Sequence, residues 1–325
     1  MAQTRRGTWK GRMAAAVLAT GLAACGGTGV ESAPAPAQPV AVQASPLDAT
    51  RLMDSVRTLT APEMNGRGAG TVGNQRARAW IVDRFTDIGL RPIGEAYLHT
   101  FRYTPKSGPA IDAANVLGTC PGTVEGAPSI VLSAHYDHLG VRSGEVYPGA
   151  DDNASGVAVL LGIAEACMRE PFRHPLIVAA FDAEEGGLRG ARAFVDKPPV
   201  PRESLALDVN LDMVSRSDVN ELYVAGTYHS PELKPVLDAV ASRAPVKLLF
   251  GHDRPEDGEQ DWTQQSDHGP FHDAGIPFVY FGVEDHADYH RPSDTPDKIN
   301  PAFFHDAAVT ILDAMRALDA HVPVQ

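Results

Sequence analysis

Four short apolar runs, at residues 130–132, 176–181, 205–211 and 276–281, constrain this chain more than any other feature. Each has the length of a buried strand and is too short for a core-covering helix. Between and after them the pattern turns helical, over 154–169, 187–196, 230–243 and 301–319. Ahead of them Leu52, Val56 and Leu59 are helically spaced, as are Ala77, Ile81, Phe85 and Ile88, with Gly89 placed as a cap. Residues 96–103 and 114–119 read as two strands paired in a hairpin. Apolar strands alternating with helices predict an α/β fold: a mixed, mostly parallel central sheet with helices on both faces. No internal repeat or second linker breaks 47–323, which reads as one domain.

What precedes residue 47 reads as an address rather than a fold. Arg5, Arg6, Lys10 and Arg12 form a basic start, a short apolar stretch follows over 13–24, and Leu22-Ala23-Ala24-Cys25 resembles the lipobox of bacterial lipoproteins. The expectation is a signal over 1–24, export to a bacterial cell envelope, and a lipid on Cys25 as the sole membrane contact. A plain secretory signal with an incidental Cys25 is the alternative. Residues 25–46, rich in Ala, Pro and Gly, have too little apolar bulk to fold and read as a flexible tether. No run of eighteen apolar residues predicts a spanning helix.

Charge and cysteine content narrow the partners. With 28 basic against 41 acidic residues the chain carries a net charge of −13, which argues against nucleic acid. Three cysteines are too few for a thiolate zinc cluster or a disulfide scaffold. Cys120 and Cys167 are left either to pair or to stay apart as buried thiols.

In open α/β sheets ligands bind beyond the carboxyl ends of the strands. After the first run come His135, Tyr136, Asp137 and His138; after the second, Asp182, Glu184 and Glu185; after the third, Asp212. The fourth leads by a short loop to Asp288, Tyr289 and His290, and Asp151 and Asp152 precede the helix near 156. A lone Asp at a strand end is more often a turn or cap residue. Four strand ends that all present imidazole or carboxylate point instead to a metal, and oxygen and nitrogen donors without thiolate suit zinc. Three ligand carboxylates and a hydroxide would carry four negative charges, which two divalent cations neutralise. Two zinc ions per chain are therefore expected.

These segments, HYDH at 135–138, GADDNASG at 149–156, FDAEEGG at 181–187, NLDM at 210–213 and DYHRPSDT at 288–295, resemble in order and spacing those of the di-zinc aminopeptidases. That family has glutamate carboxypeptidase-type and transferrin-receptor-like relatives, and the resemblance runs over about 50–320. It implies a zinc exopeptidase domain over 47–323 that acts on peptides. Carried over, it assigns His135 and Asp212 to one zinc, Glu185 and His290 to the other, and Asp152 to both, with a water or hydroxide between. Asp151 is the nearest alternative to Asp152. Glu184 would be the general base, and Tyr289 would donate its hydroxyl to the oxyanion. Asp137 would accept the ring N–H of His135. Ser266 and Asp267 match a segment near the substrate cleft, His138 is expected to be a loop residue outside the ligand set, and Trp262 is either a pocket wall or surface packing.

Several patterns point elsewhere and are set aside. The GxGxxG at 68–73 follows a helical segment, not the strand a dinucleotide site needs, and reads as a flexible loop. GxSxG and HExxH are absent. Three functions remain open: an aminopeptidase; other amide chemistry on the same scaffold, by a carboxypeptidase, deacylase or N-terminal glutamine cyclase; and a non-enzymatic binding module. The complete ligand set favours the first two.

Overall fold

Strand and helix patterns resolve, in the computed structural model, into a nine-stranded mixed sheet covered on both faces. The structure describes residues 47–324, so the signal, Cys25 and the tether expected from the sequence lie outside the described residues. The strands are β1 (Arg91–Pro92), β2 (Leu98–Tyr103), β3 (Ile111–Cys120), β4 (Ser129–His135), β7 (Leu176–Phe181), β8 (Leu205–Leu211), β9 (Glu221–Ala225), β10 (Lys247–Phe250) and β11 (Phe278–Gly282). A separate hairpin pairs β5 (Gly140–Arg142) with β6 (Glu145–Tyr147). The helices are α1 (Ala49–Leu59), α2 (Val72–Ile88), α3 (Gly156–Arg169), α4 (Arg189–Asp196), α5 (Lys234–Ala241), α6 (His268–Asp273) and α7 (Pro301–His321).

Strands run in the order β1-β3-β7-β4-β8-β11-β9-β10, with β2 also on β3. The centre, β7-β4-β8-β11, is parallel, while β1, β2 and β7 meet β3, and β9 meets β11, in antiparallel fashion. Every residue of β4 and β7 is buried, as near-continuous apolar runs require when helices cover both faces. Alternate side chains serve two cores. Leu176, Val178 and Ala180 join the core under α1, α2, α3, α5 and α7, whereas Ile177, Ala179 and Phe181 face α4 and α6. On that second face Phe181, Phe194 and Phe271 form a ring cluster with centroids 5.6–6.2 Å apart.

Local signals set the helix ends. Asp48 caps α1, accepting the N–H groups of Thr50 and Arg51, and Thr71 caps α2. Gly89 closes α2 in the left-handed conformation at φ 85°, as its position implied. The segment at 68–73 is a packed turn rather than a flexible loop: Gly68 bridges to His138, and a Cβ on Gly73 would lie 1.9 Å from the Met64 carbonyl oxygen. Cys120 and Cys167 form a disulfide that ties the end of β3 to α3. Among the described residues no helix is long and apolar enough to cross a membrane.

Candidate metal centre and active site

Four parallel strands end at one edge of the sheet, and there the chain gathers its imidazoles and carboxylates. His135 is the last residue of β4 and pairs in register with Phe181, so the turn after β7 carries Glu184 and Glu185 alongside it. Asp212 follows β8, and the loop after β11 returns with His290. Ala183, Met213 and His290, beside or within this group, hold positive φ of 59°, 59° and 53°, a backbone region L-residues rarely occupy. Such strained positions concentrate where side-chain direction matters more than local comfort.

Asp152 stands at the centre. Its Oδ1 lies 3.4 Å from His135 Nε2, which is also 3.4 Å from Asp212 Oδ1. Its Oδ2 lies 3.1 Å from His290 Nε2, which is 3.5 Å from Glu185 Oε2. The ligand atoms of His135, Asp152 and Asp212 fall within 4.8 Å of one another, as do those of His138, Asp152 and Glu185. Two adjoining groups therefore share one carboxylate. Asp151 points away from both: it accepts from Ser215 N and Oγ at 2.9 and 2.6 Å, from Ser155 Oγ at 3.2 Å, and pairs with His286 at 3.1 Å. Asn153 ties the same segment to β8 by donating to Leu211 O at 2.8 Å. Gly156 is required here, because a Cβ would lie 2.3 Å from Asn153 Oδ1.

The donor set fits a hard-to-borderline cation such as zinc. Asp212 Oδ1 and His138 Nε2 are buried without a hydrogen bond. Buried polar atoms left this way are costly unless something else satisfies them, and a divalent cation does so.

Several residues differ from their expected placement. His138 lies in the segment after β4, as expected, but not apart from the ligand groups: it is 1% exposed, with Nδ1 2.7 Å from Glu185 Oε1 and 3.7 Å from Asp152 Oδ2. Gly149 presses against its ring, where a Cβ would meet it at 2.5 Å. The ring N–H of His135 meets the backbone carbonyl of Asp137 at 3.1 Å, with the Asp137 carboxylate farther off at 3.7 Å. That carboxylate instead accepts the Glu184 N–H at 3.0 Å and so fixes the turn carrying the two glutamates. Neither Ser266 nor Asp267 lines the cleft. Ser266 is buried and donates to Asp212 Oδ2 at 2.7 Å, while Asp267 is fully buried with neither oxygen hydrogen-bonded.

Two further groups were not singled out from the sequence. Arg67 is fully buried and donates to four backbone carbonyls: Tyr136 at 2.8 Å, Leu59 at 2.9 Å, Pro148 at 2.6 Å and Gly149 at 2.9 Å. It thereby braces both the His135 and the Asp152 segments. Burial lowers its pKa to about 10, against the pull of Asp152, Asp137 and Asp294, so it stays charged at neutral pH behind the acidic centre. Asp294 accepts the N–H groups of Asp151 and Asp152, each at 3.1 Å. Asp294 lies inside a segment that carried the resemblance, so its neighbourhood was available; nothing local marks Arg67.

The centre opens into a cleft of about 330 Å³. His135, Asp152, Glu184, Glu185, Asp212 and His290 line its floor, and Trp262 and Tyr289 belong to its wall. Tyr289 stacks on His290 with ring centroids 3.9 Å apart.

In the metal-free protein these groups compete for protons. Burial and then Asp152 push Glu185 from 4.5 up to about 8. Burial also drives Glu184 well above the usual carboxylate range; His135 opposes it, while Asp267 and Asp212 add to it. Burial pulls His135 down, but Asp212 and Glu184 outweigh it and hold that ring protonated. A group whose folded pKa is raised contributes stability that is full below its unfolded pKa and is lost as pH rises through the folded value. His138, lowered to about 4 by burial, acts oppositely and only as pH falls below 6.5. The metal-free protein is therefore expected to lose thermal stability from about pH 5 to pH 8, and zinc to restore more at pH 8 while displacing protons. Thermal melts of chelator-stripped protein with and without zinc, and calorimetry in buffers of different ionisation enthalpy, measure both. A pH-independent melt with no proton release would contradict the assignment.

Comparison with known proteins gives the fold and the family. Aminopeptidase YwaD from Bacillus subtilis (strain 168) is 30% identical over 200 residues, which cover 57% of this chain and 40% of YwaD. Leupeptin-inactivating enzyme 1 from Streptomyces exfoliatus is 26% identical over 296 residues, 88% of this chain and 61% of that one. The chain spans about half the length of the first curated relatives it matches. Among solved structures, BSAP, a zinc aminopeptidase from Bacillus subtilis, superposes with a TM-score of 0.67 at 17% identity, covering 84% of this chain and 95% of its own. Porphyromonas gingivalis glutaminyl cyclase superposes with a TM-score of 0.70 at 19% identity, covering 86% and 100%. At these identities the likeness is one of fold, and it does not choose between the two chemistries. The profile of Peptidase family M28 matches residues 115–315, a stretch that holds every residue of the two adjoining clusters, and the chain belongs to that family of zinc metallopeptidases.

Proposed function

We propose that the protein is a zinc-dependent aminopeptidase that removes N-terminal residues from peptides. One observation carries the reading: Asp152 offers one oxygen to the His135–Asp212 cluster and the other to the Glu185–His290–His138 cluster, with Glu184 in the same cleft. This supports two zinc ions per chain, one held by His135 and Asp212 and one by Glu185 and His290, with Asp152 common to both. His138 stands against the second group and holds Glu185 in place.

When bound, such ions lower the pKa of a water and polarise the substrate carbonyl. The chain's own groups do the rest. Glu184, positioned by the Asp137 contact to its backbone, takes the proton of the attacking water on its carboxylate and passes it to the leaving amine. Tyr289 lies in the cleft wall, fixed by its stack on His290, and in this reading its hydroxyl donates to the developing oxyanion. Ser266 holds Asp212 by its hydroxyl. A disulfide between Cys120 and Cys167 suits export from the reducing cytosol, as the N-terminal sequence implies.

The fold shared with a glutaminyl cyclase supplies the one competing reading. Mass spectrometry of zinc-loaded protein with free-amine, N-acetylated and N-terminal Gln peptides separates them. Stepwise shortening from a free N-terminus, abolished by a chelator and restored by zinc, is the expected result. Loss of ammonia at unchanged peptide length would assign the cyclase chemistry, and cleavage confined to acetylated peptides would assign another amide hydrolase.

A further inference from the structure

The loop from Val283 to His290 is anchored by its charged residues, with one exception. Glu284 Oε1 lies 3.1 Å from His252 Nε2, and His286 Nε2 lies 3.1 Å from Asp151 Oδ2. Asp288 accepts from Arg216 at 2.8 Å and from Ser293 at 2.6 Å. Asp285, between these anchors, lines the cleft and has no hydrogen bond or ion pair among the described residues. A carboxylate on so firmly held a loop is pre-organised for something outside the chain.

The surroundings define what that is. Asp152, Glu184, Glu185 and Asp212, the other carboxylates of the cleft, are engaged at the proposed zinc centre, and no Lys or Arg lines the cleft to neutralise Asp285. The same cleft is lined by Met213, Trp262, Tyr280 and Val283, apolar or aromatic and each mostly buried, together with Leu188, Gln264 and Gln265. Trp262 is held by a parallel stack on His252, with centroids 3.7 Å apart, and by an edge contact to Tyr280. An apolar, aromatic wall that shares a cleft with an exposed carboxylate without a partner in the chain fits a side chain with an aliphatic stem and a cationic tip.

We propose that Asp285 is a specificity residue that selects Lys or Arg as the N-terminal residue of the substrate. This rests on the aminopeptidase reading and names its substrate class. Norleucine supplies the comparison, because it has the lysine chain without the ammonium. For the zinc-loaded full chain, kcat/KM on the lysyl 4-nitroanilide should exceed that on the norleucyl one by about threefold to fivefold, the gain of one charge-assisted contact at an exposed carboxylate. Asp285→Asn should bring the ratio near one, and Asp285→Glu should keep most of the preference. A wild-type ratio at or below one, or a ratio untouched by Asp285→Asn, overturns the proposal. An equal loss on both substrates also overturns it and places Asp285 at the α-amine.

Calorimetric binding of lysine and norleucine hydroxamates to the same proteins separates this inference from the reading it rests on. An Asp285-dependent preference for the lysine compound without anilide turnover would uphold the cation pocket and sink the aminopeptidase. Equal binding of the two hydroxamates to wild type would sink the pocket.

Discussion

Replacing Glu184 with Gln is expected to leave zinc content unchanged while lowering kcat by about 10²–10⁴-fold, the range for loss of a general acid–base group. The amide keeps the size of the side chain and leaves the contact between the Glu184 backbone and Asp137 in place, so neither cluster loses a donor. What disappears is the capacity to take and return a proton. Zinc analysis by mass spectrometry and anilide turnover on the same preparation measure both. Activity within a few fold of wild type would show that the proton travels by another group.

The second large effect is expected at Asp152. Asp152→Ala removes the two oxygens that serve both clusters and leaves His135, Asp212, Glu185 and His290 without their common partner. Zinc and activity should be lost together, and the melting temperature in zinc should fall to that of chelator-treated wild type. The contrast with Glu184→Gln is the informative part: one variant separates zinc from turnover, the other cannot. A fully metallated, active Asp152→Ala would mean that the centre is organised around a different carboxylate. Asp151 is the poorer choice, because Ser155, Ser215 and His286 already occupy its oxygens.

Much of the centre was legible because a parallel strand buried on both faces leaves little freedom in the sequence. β7 is apolar throughout, and β4 and β8 are mostly so, with Ser133, Asp208 and Asn210 hydrogen-bonded to one another inside the sheet, so the polar residues at each strand's carboxyl end fall at one edge of the sheet. His135, Glu184, Glu185 and Asp212 were found in that way. Several short strands were not found. β5, β6, β9 and β10 have three to five residues each and are partly exposed, so their composition carries no periodic signal. The pairing of Cys120 with Cys167 likewise depends on β3 and α3 meeting, which no spacing along the chain reports.

What the sequence determined by itself was the alternation of elements, the identity of the strand-end groups and hence the kind of chemistry. Only the tertiary structure decided how those groups are held and what faces the cleft. His138 is drawn into the second cluster because Gly149, eleven positions on, packs flat against it. Arg67 matters because four carbonyls from three segments converge on it, and Asp285 because its neighbours are tied down while it is not. Each depends on a contact between distant parts of the chain, and burial and satisfaction of polar groups are properties of such contacts rather than of residue types.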